Sequence, residues 1–448
     1  MTQTTLAPPL RLDRWDPQAL LAYYQRAWAL EDRLWQSLVG DGPFYLNPDP
    51  LRNLLIFYLG HTAVFYINKL RQVGLIQEAL QPAYEELFAV GVDPEKPEEI
   101  EGKVAQLRRA PLAEVWGYRQ RVYHRIADLI CQSDFTAPIT PNHPLWALIM
   151  AIEHQYIHIE TSSVLIRQLP VAMVRRPADW VYLPGDGEAR PNPLVAVPAG
   201  PVRLGKPQDA PSYGWDIDYG DRPLQVAPFR VSQYQITNAE FLAFVQAGGY
   251  QTPTYWCAAA WGWKTQQAVT HPKFWLADPL APGGYRYRAL FDEIPMPWQY
   301  PVEVNYHEAV AYCRWYQNAT GHPTRLMGEA EWQRALCDQP QPVADYNLDS
   351  QFGSPHGVGS RPTAQTEIGL YDLRGNVWEW LRDPLTPLPG YRPHPLYQDY
   401  SACYFDNQHR MMAGGSWITS GAGALPHYRN WFRPNFYQHA GFRLAATA

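Results

Sequence analysis

Three histidines in this chain have the surroundings and spacing of metal ligands. His154 and His158 lie four residues apart in "MAIEHQYIHIET" (150–161). Each residue of an α-helix advances about 100°, so the two imidazoles stand about 40° apart and project side by side. That pair can hold one divalent ion. Glu160 falls about 200° round the helix from His158, so it should not be a third ligand of the same ion. A two-histidine, one-carboxylate triad is therefore not available from this helix alone. The best third candidate is His61, mid-helix among apolar neighbours in "IFYLGHTAVFYIN" (56–68). A polar ring there needs a partner, and Gly60 permits close approach of another backbone. Three neutral imidazoles suit Fe(II), Zn(II) or Cu(II) and leave positions open for substrates. Spacing alone also leaves open three hydrogen-bonded core histidines. His124, His143 and His394 sit in loops or on polar faces and are read as ordinary.

The elements that must position these residues are long helices. Four segments have apolar residues at helical spacing: residues 16–39, 48–74, 111–132 and 144–170. Asp16 stands where a capping residue belongs, and Pro50 and Gly74 bound the second segment. They predict a helix bundle, the architecture in which metal sites grow from facing helices. Beyond Pro170 the habit changes: Gly and Pro recur every few residues, and short β-prone runs such as "PLVAVPAGPVRLG" and "QVAPFRVSQYQIT" appear. The clearest later helices are "NAEFLAFVQAGG", "VNYHEAVAYCRWYQNAT" and "MGEAEWQRALC". An irregular α+β domain is expected there, joined through "PVAMVRRP" (170–177). The division expected is 1–175 for the bundle and 176–448 for the second domain.

The remaining composition excludes several classes. A formal charge of −6 without a Lys/Arg-rich run argues against a nucleic-acid partner. No apolar stretch approaches the ~18 residues that span a bilayer, and the first residues lack a signal peptide's pattern, so the expectation is a cytoplasmic protein without a membrane partner. Cys131, Cys257, Cys313, Cys337 and Cys403 are scattered without CxxC spacing, which indicates neither a zinc knuckle nor a disulfide framework. With 18 Trp, 29 Tyr and 43 Pro, aromatic side chains should fill much of a loop-rich interior.

A run of phrases in the second half carries a family resemblance. "VPAGPVRLG", "ITNAEFLAFV", "PVEVNYHEAVAYCRW", "RLMGEAEWQRA", "GNVWEW", "GGSW" and "AGFRLA" occur in order from residue 197 to 445. Together they resemble the formylglycine-generating-enzyme, or sulfatase-modifying-factor, domain, with Met327-Gly328 replacing the usual Pro-Thr. The resemblance implies a C-type-lectin-like fold with little regular secondary structure. Formylglycine-generating enzymes hold copper with a cysteine pair near the C-terminal end, and the corresponding stretch here contains no Cys, so that activity is not expected. Ahead of this domain, "YLGHT" and "HxxxHxE" resemble the DinB-like four-helix bundle of the non-haem iron sulfoxide synthases, which make ergothioneine and ovothiol. That family joins a thiol to a histidine derivative with O2 and holds Fe(II) with three histidines. The resemblance carries those ligands onto His61, His154 and His158.

The wording of "LLIFYLGHTAVFYINKLR", "PSYGWDIDYGDR" and "FYQHAGFRL" is similar to the ovothiol branch, which uses free histidine and cysteine. The sequence given carries no methyltransferase after "GFRLA", however, and "YRNWF" (428–432) resembles the ergothioneine branch. There the Asn and aromatics lie beside the trimethylammonium of hercynine. A quaternary ammonium cannot donate hydrogen bonds, so it favours aromatic faces and uncharged oxygens, and Asn430, Trp431 and Phe432 offer both. The expectation is therefore a hercynine-using enzyme with cysteine favoured as the thiol over γ-glutamylcysteine. Ovothiol-type synthesis from histidine, a selenium–carbon (selenoneine) variant and a non-catalytic binding module are the alternatives. The tyrosine that precedes the family's "YPGF" is missing, with Leu385 and Leu388 in "DPLTPLPGY" at those positions. Tyr404 and Tyr428 are the substitutes expected as proton donors. Arg108 or Arg109 is the expected partner of a thiol-substrate carboxylate.

Overall fold

In a computed structural model, residues 10–89, 91, 94, 96–187, 190–336 and 346–448 are described. Cys337 lies outside them. Helix α1 (Pro17–Trp35) starts where Asp16 accepts a hydrogen bond from the Ala19 N–H at 2.9 Å, with Pro17 in the first turn. Helix α2 (Leu55–Gln72) is followed by two short helices, α3 (Pro82–Leu87) and α4 (Glu101–Leu107). Then come α5 (Leu112–Gln132) and α6 (Trp146–Arg167). The four long helices fall on the four periodic segments. Helices α1 and α2 each pack against both α5 and α6.

Among the described residues the second half is built from short strands in four small sheets. β1 (Leu194–Val197) and β2 (Gly200–Leu204) lie in the first β-prone run and β4 (Phe229–Ser232) in the second, while β3 (Arg222–Val226) begins three residues before the second run. β5 (Trp275–Ala277), β6 (Tyr285–Arg288) and β7 (Glu293–Pro295) form an antiparallel meander. β8 (Trp378–Pro384), β9 (Arg410–Ala413), β10 (Asn430–Phe432) and β11 (Ala440–Gly441) make a sheet of order β10-β9-β8-β11, in which β11 runs parallel to β8. β12 (Ala445–Thr447) returns to pair with β4, and β4 also pairs with β1. The three expected helices appear as α7 (Asn238–Gln246), α9 (Tyr306–Thr320) and α10 (Glu329–Ala335). A further one, α8 (Ala258–Gln266), lacked a clear apolar stripe in the sequence. Both α7 and α9 begin with reciprocal capping boxes, Thr237 with Glu240 and Asn305 with Glu308.

One hydrophobic core runs through both halves, and α6 is its axis. Nearly every face of α6 is buried, as expected of a helix apolar all round. Its polar residues are anchors. Glu160 accepts from Trp378 Nε1 at 2.7 Å, Ser416 Oγ at 2.5 Å and Thr419 Oγ1 at 2.8 Å. Glu153 accepts from the Tyr23 hydroxyl at 2.6 Å and the Ala422 N–H at 2.7 Å. Arg167 donates to Glu303 at 2.6 Å. The junction after α6 is tied back onto the end of α1, with Arg175 N–H donating to the Ser37 carbonyl at 2.7 Å. Among the described residues no helix is long and apolar enough to cross a membrane.

Candidate metal centre and substrate cavity

His61 on α2 meets His154 and His158 on α6 where the two helices pack. Ring centroids are 5.0 Å apart for His61 and His154, 4.7 Å for His61 and His158, and 4.4 Å for His154 and His158. One nitrogen from each ring lies within 4.8 Å of the others. The Nε2 atoms of His154 and His158 are 3.1 Å apart. Two nitrogens each ~2.1 Å from one metal, at right angles, would be ~3.0 Å apart, so this pair is spaced as neighbouring ligands of a single ion.

Protonation and orientation favour the same use. Burial pushes His61 down to about 4 and holds His154 and His158 well below the ordinary imidazole value, so all three keep lone pairs at neutral pH. His61 Nδ1 lies 2.6 Å from the Phe88 carbonyl and donates to it, which leaves Nε2 as the lone-pair nitrogen. Gly60 makes that contact possible: a Cβ there would lie 2.7 Å from Phe88 Cδ1. The close approach expected at Gly60 is thus by an aromatic ring, not by a backbone. Phe57 stacks on His61 at 4.8 Å and Phe65 on His154 at 3.7 Å. Both phenylalanines lie one helical turn from His61, a spacing legible in the sequence.

A cavity of about 400 Å³ opens from His61 and His158 toward the second half. Asn430, Trp431 and Phe432, the whole of β10, line it together with Tyr404 and Tyr428. Five expected site residues are therefore gathered beside the three histidines. Tyr404 is half-buried, its ring 5.7 Å from Trp431. Tyr428 is buried, packs 5.9 Å from Trp378 and shares a hydrogen bond with Tyr400; burial raises its pKa. Arg108 and Arg109 are not brought here: both are exposed after α4, and Arg108 leans on the Tyr45 carbonyl at 3.4 Å. The cations lining the cavity are Arg52, Lys69 and Arg433. Lys69 donates to the Leu396 carbonyl and sits 4.7 Å from the Tyr397 ring, while Arg52 lies 4.5 Å from the Phe436 ring.

The sequence reading missed Tyr397 and Tyr400, which roof the cavity from the loop between β8 and β9. That loop has no period to reveal which side chains turn inward. Leu385 and Leu388, at the positions of the missing tyrosine, are buried and do not line the cavity.

Comparison with known proteins adds a family match and three relatives. The Sulfatase-modifying factor enzyme 1-like domain matches residues 183–448. A hercynine oxygenase from Mycolicibacterium thermoresistibile is 29% identical over 432 residues, covering 89% of this chain and 88% of that protein. Its namesake from Mycolicibacterium smegmatis is 29% identical over 321 residues, covering 67% and 71%. Ergothioneine biosynthesis protein 1 of Neurospora crassa is 23% identical over 504 residues, covering 94% of this chain but 57% of the fungal protein.

Proposed function

The chain belongs to the Sulfatase-modifying factor enzyme 1-like domain family over residues 183–448, and we propose that it is an Fe(II)- and O2-dependent sulfoxide synthase of ergothioneine biosynthesis. It joins the imidazole ring of hercynine to a thiol, cysteine in preference to γ-glutamylcysteine. Residues 1–175 serve as a DinB-like bundle holding the iron, and 176–448 shape the substrate pocket. The observation that carries this reading is the three-histidine cluster opening on an aromatic-lined cavity. The names of the similar proteins supply the substrate class.

His61, His154 and His158 would hold the iron, which supplies a site where the thiol, the imidazole and O2 are activated together. The chain's own residues do the rest. Phe88 fixes the His61 tautomer, and Phe57 and Phe65 hold two of the rings flat. Asn430, Trp431 and Phe432 receive the trimethylammonium on surfaces that require no hydrogen-bond donor from it. Arg52 and Lys69, in place of the exposed Arg108 and Arg109, face substrate carboxylates as charge partners. Tyr428, a phenol and so protonated at neutral pH, carries a proton for delivery at the cavity wall, with Tyr404 as the second candidate donor.

The test is anaerobic loading with Fe(II), addition of hercynine or histidine with cysteine, γ-glutamylcysteine or a selenosugar, then admission of O2. O2 uptake and product mass are followed. A sulfoxide from hercynine and cysteine is the expected outcome. A sulfoxide from histidine but not from hercynine transfers the chain to ovothiol-type chemistry, and a carbon–selenium product to the selenium variant. Unchanged metal content and substrate binding in His61→Ala would defeat the catalytic reading altogether.

A further inference from the structure

The charged groups around the metal cavity fall into two sets, one on the His158 side and one on the His154 side. Arg52 belongs to the first: its guanidinium lies 5.9 Å from the Phe432 ring and 4.5 Å from Phe436. Lys69 belongs to the second. Its ammonium lies 5.0 Å from the Phe65 ring, which stacks on His154, and 4.7 Å from Tyr397, whose ring is 6.2 Å from His154. Beyond the effect of burial, Arg52 disfavours a proton on His158 and Lys69 disfavours one on His154. Two different walls therefore carry the two cations.

The wall of Lys69 also carries Asp399, the single carboxylate among the described residues lining the cavity. Burial lowers the pKa of Lys69, and the nearby Asp399 carboxylate opposes that shift. The loop between β8 and β9 fixes the pair. Lys69 donates to the Leu396 carbonyl, and the Asp399 carbonyl accepts from Cys403 Sγ at 3.3 Å. Asp399 itself is exposed, so its carboxylate is open to a ligand, and Lys69 has further N–H groups to donate.

The two walls suit different ammonium groups. A quaternary ammonium donates no hydrogen bond and is received by aromatic faces, as β10 provides. A primary ammonium has three N–H donors and is best received by an ionised acceptor. We propose that Lys69 and Asp399 form the thiol end of the cavity and grip the amino-acid head of cysteine. Asp399 accepts from its ammonium and Lys69 donates to its carboxylate, while Arg52 and β10 hold the carboxylate and trimethylammonium of hercynine. Asp399 is thereby the residue that tells an amino-acid thiol from a thiol without an ammonium. Naming the two occupants rests on the proposed function.

The test is calorimetric titration of the Fe(II)-loaded full chain, without O2 and with hercynine present, with cysteine, cysteamine and 3-mercaptopropionate. Asp399→Asn should weaken cysteine and cysteamine about tenfold, the effect of losing a hydrogen bond between charged groups, and leave 3-mercaptopropionate unchanged. Lys69→Met should weaken cysteine and 3-mercaptopropionate by a similar factor and leave cysteamine unchanged. γ-Glutamylcysteine, whose cysteine nitrogen is a neutral amide, should ignore Asp399→Asn; a loss there would show Asp399 reading the glutamyl head and would overturn the assignment to cysteine. Equal losses for all three thiols, or a loss of hercynine in place of cysteine, overturn the thiol end. Because Asp399 is exposed, its variant decides the matter even where Lys69→Met fails to fold. The expected pattern without a sulfoxide on admission of O2 keeps the thiol end and defeats the proposed function. A sulfoxide from hercynine and cysteine, with cysteine affinity indifferent to both variants, does the reverse.

Discussion

A histidine binds metal well when one ring nitrogen is committed elsewhere and the ring is neutral. His61 meets both conditions, through the Phe88 carbonyl and through burial. His158→Ala should leave the fold intact, since His158 is a half-buried residue at the cavity wall, while iron retained after desalting falls to a small fraction of wild type. Retention of a full equivalent would remove His158 from the ligand set. Selectivity is a separate matter, and the proposed role of Phe432, which lines the cavity, can be tested directly. Replacing its ring by Leu keeps the volume and removes the quadrupole, worth ~0.5–1 kcal/mol to a cation at such a site. KM for hercynine should rise about two- to fivefold with kcat little changed. An unchanged KM would place the trimethylammonium elsewhere.

Helix α2 shows what the sequence made legible and what it did not. Its period placed His61 inward and put Phe57 and Phe65 on the same face, because helical geometry is local and regular. Its partner across the groove was not legible: Phe88 comes from the segment after α3, and only tertiary packing brings its carbonyl to His61. The same limit hid Tyr397 and Tyr400, whereas Asn430–Phe432 was found because a known motif marks it. Glu160 was excluded as a ligand by its angle, yet its three donors from 378, 416 and 419 had no trace in the sequence. Gly60→Ala tests the helix as a positioning device. The added methyl must push Phe88 aside and disturb the His61 tautomer, which should weaken Fe(II) binding by about ten- to a hundredfold. Circular dichroism should show the bundle still helical; undiminished affinity would mean that Phe88 does not orient the ring.

For the molecule as a whole, buried ionisable groups set how stability responds to pH, and they pull in opposite directions. The neutral histidines His61 and His307, each held down to about 4, bind fewer protons folded than unfolded, so they add stability as pH rises from about 4 to 6.5. Glu303, held down to about 2 chiefly by Arg167 and His439 against its burial, contributes stability above about 4.5 that is lost as pH falls toward 2. Glu308 behaves in the contrary sense. Burial raises it to about 7, outweighing hydrogen bonds from the Tyr250 hydroxyl at 2.6 Å and the Asn305 N–H at 2.9 Å. The folded chain therefore keeps a proton that the unfolded chain releases near pH 4.5, and the associated stability is present below that pH and lost as pH rises through 7. Asp218, also raised to about 7 by burial, has the same sign. Because the histidines mask this slope in the wild type below about 6.5, it has to be isolated by difference. Glu308→Gln keeps an acceptor for Tyr250 and removes the titration. Urea unfolding at pH 5 and pH 8 should show the stability of wild type relative to the variant declining at the higher pH, because only the wild type must ionise a buried carboxyl. A difference constant across the two pH values would mean that Glu308 is already ionised in the folded chain at pH 5.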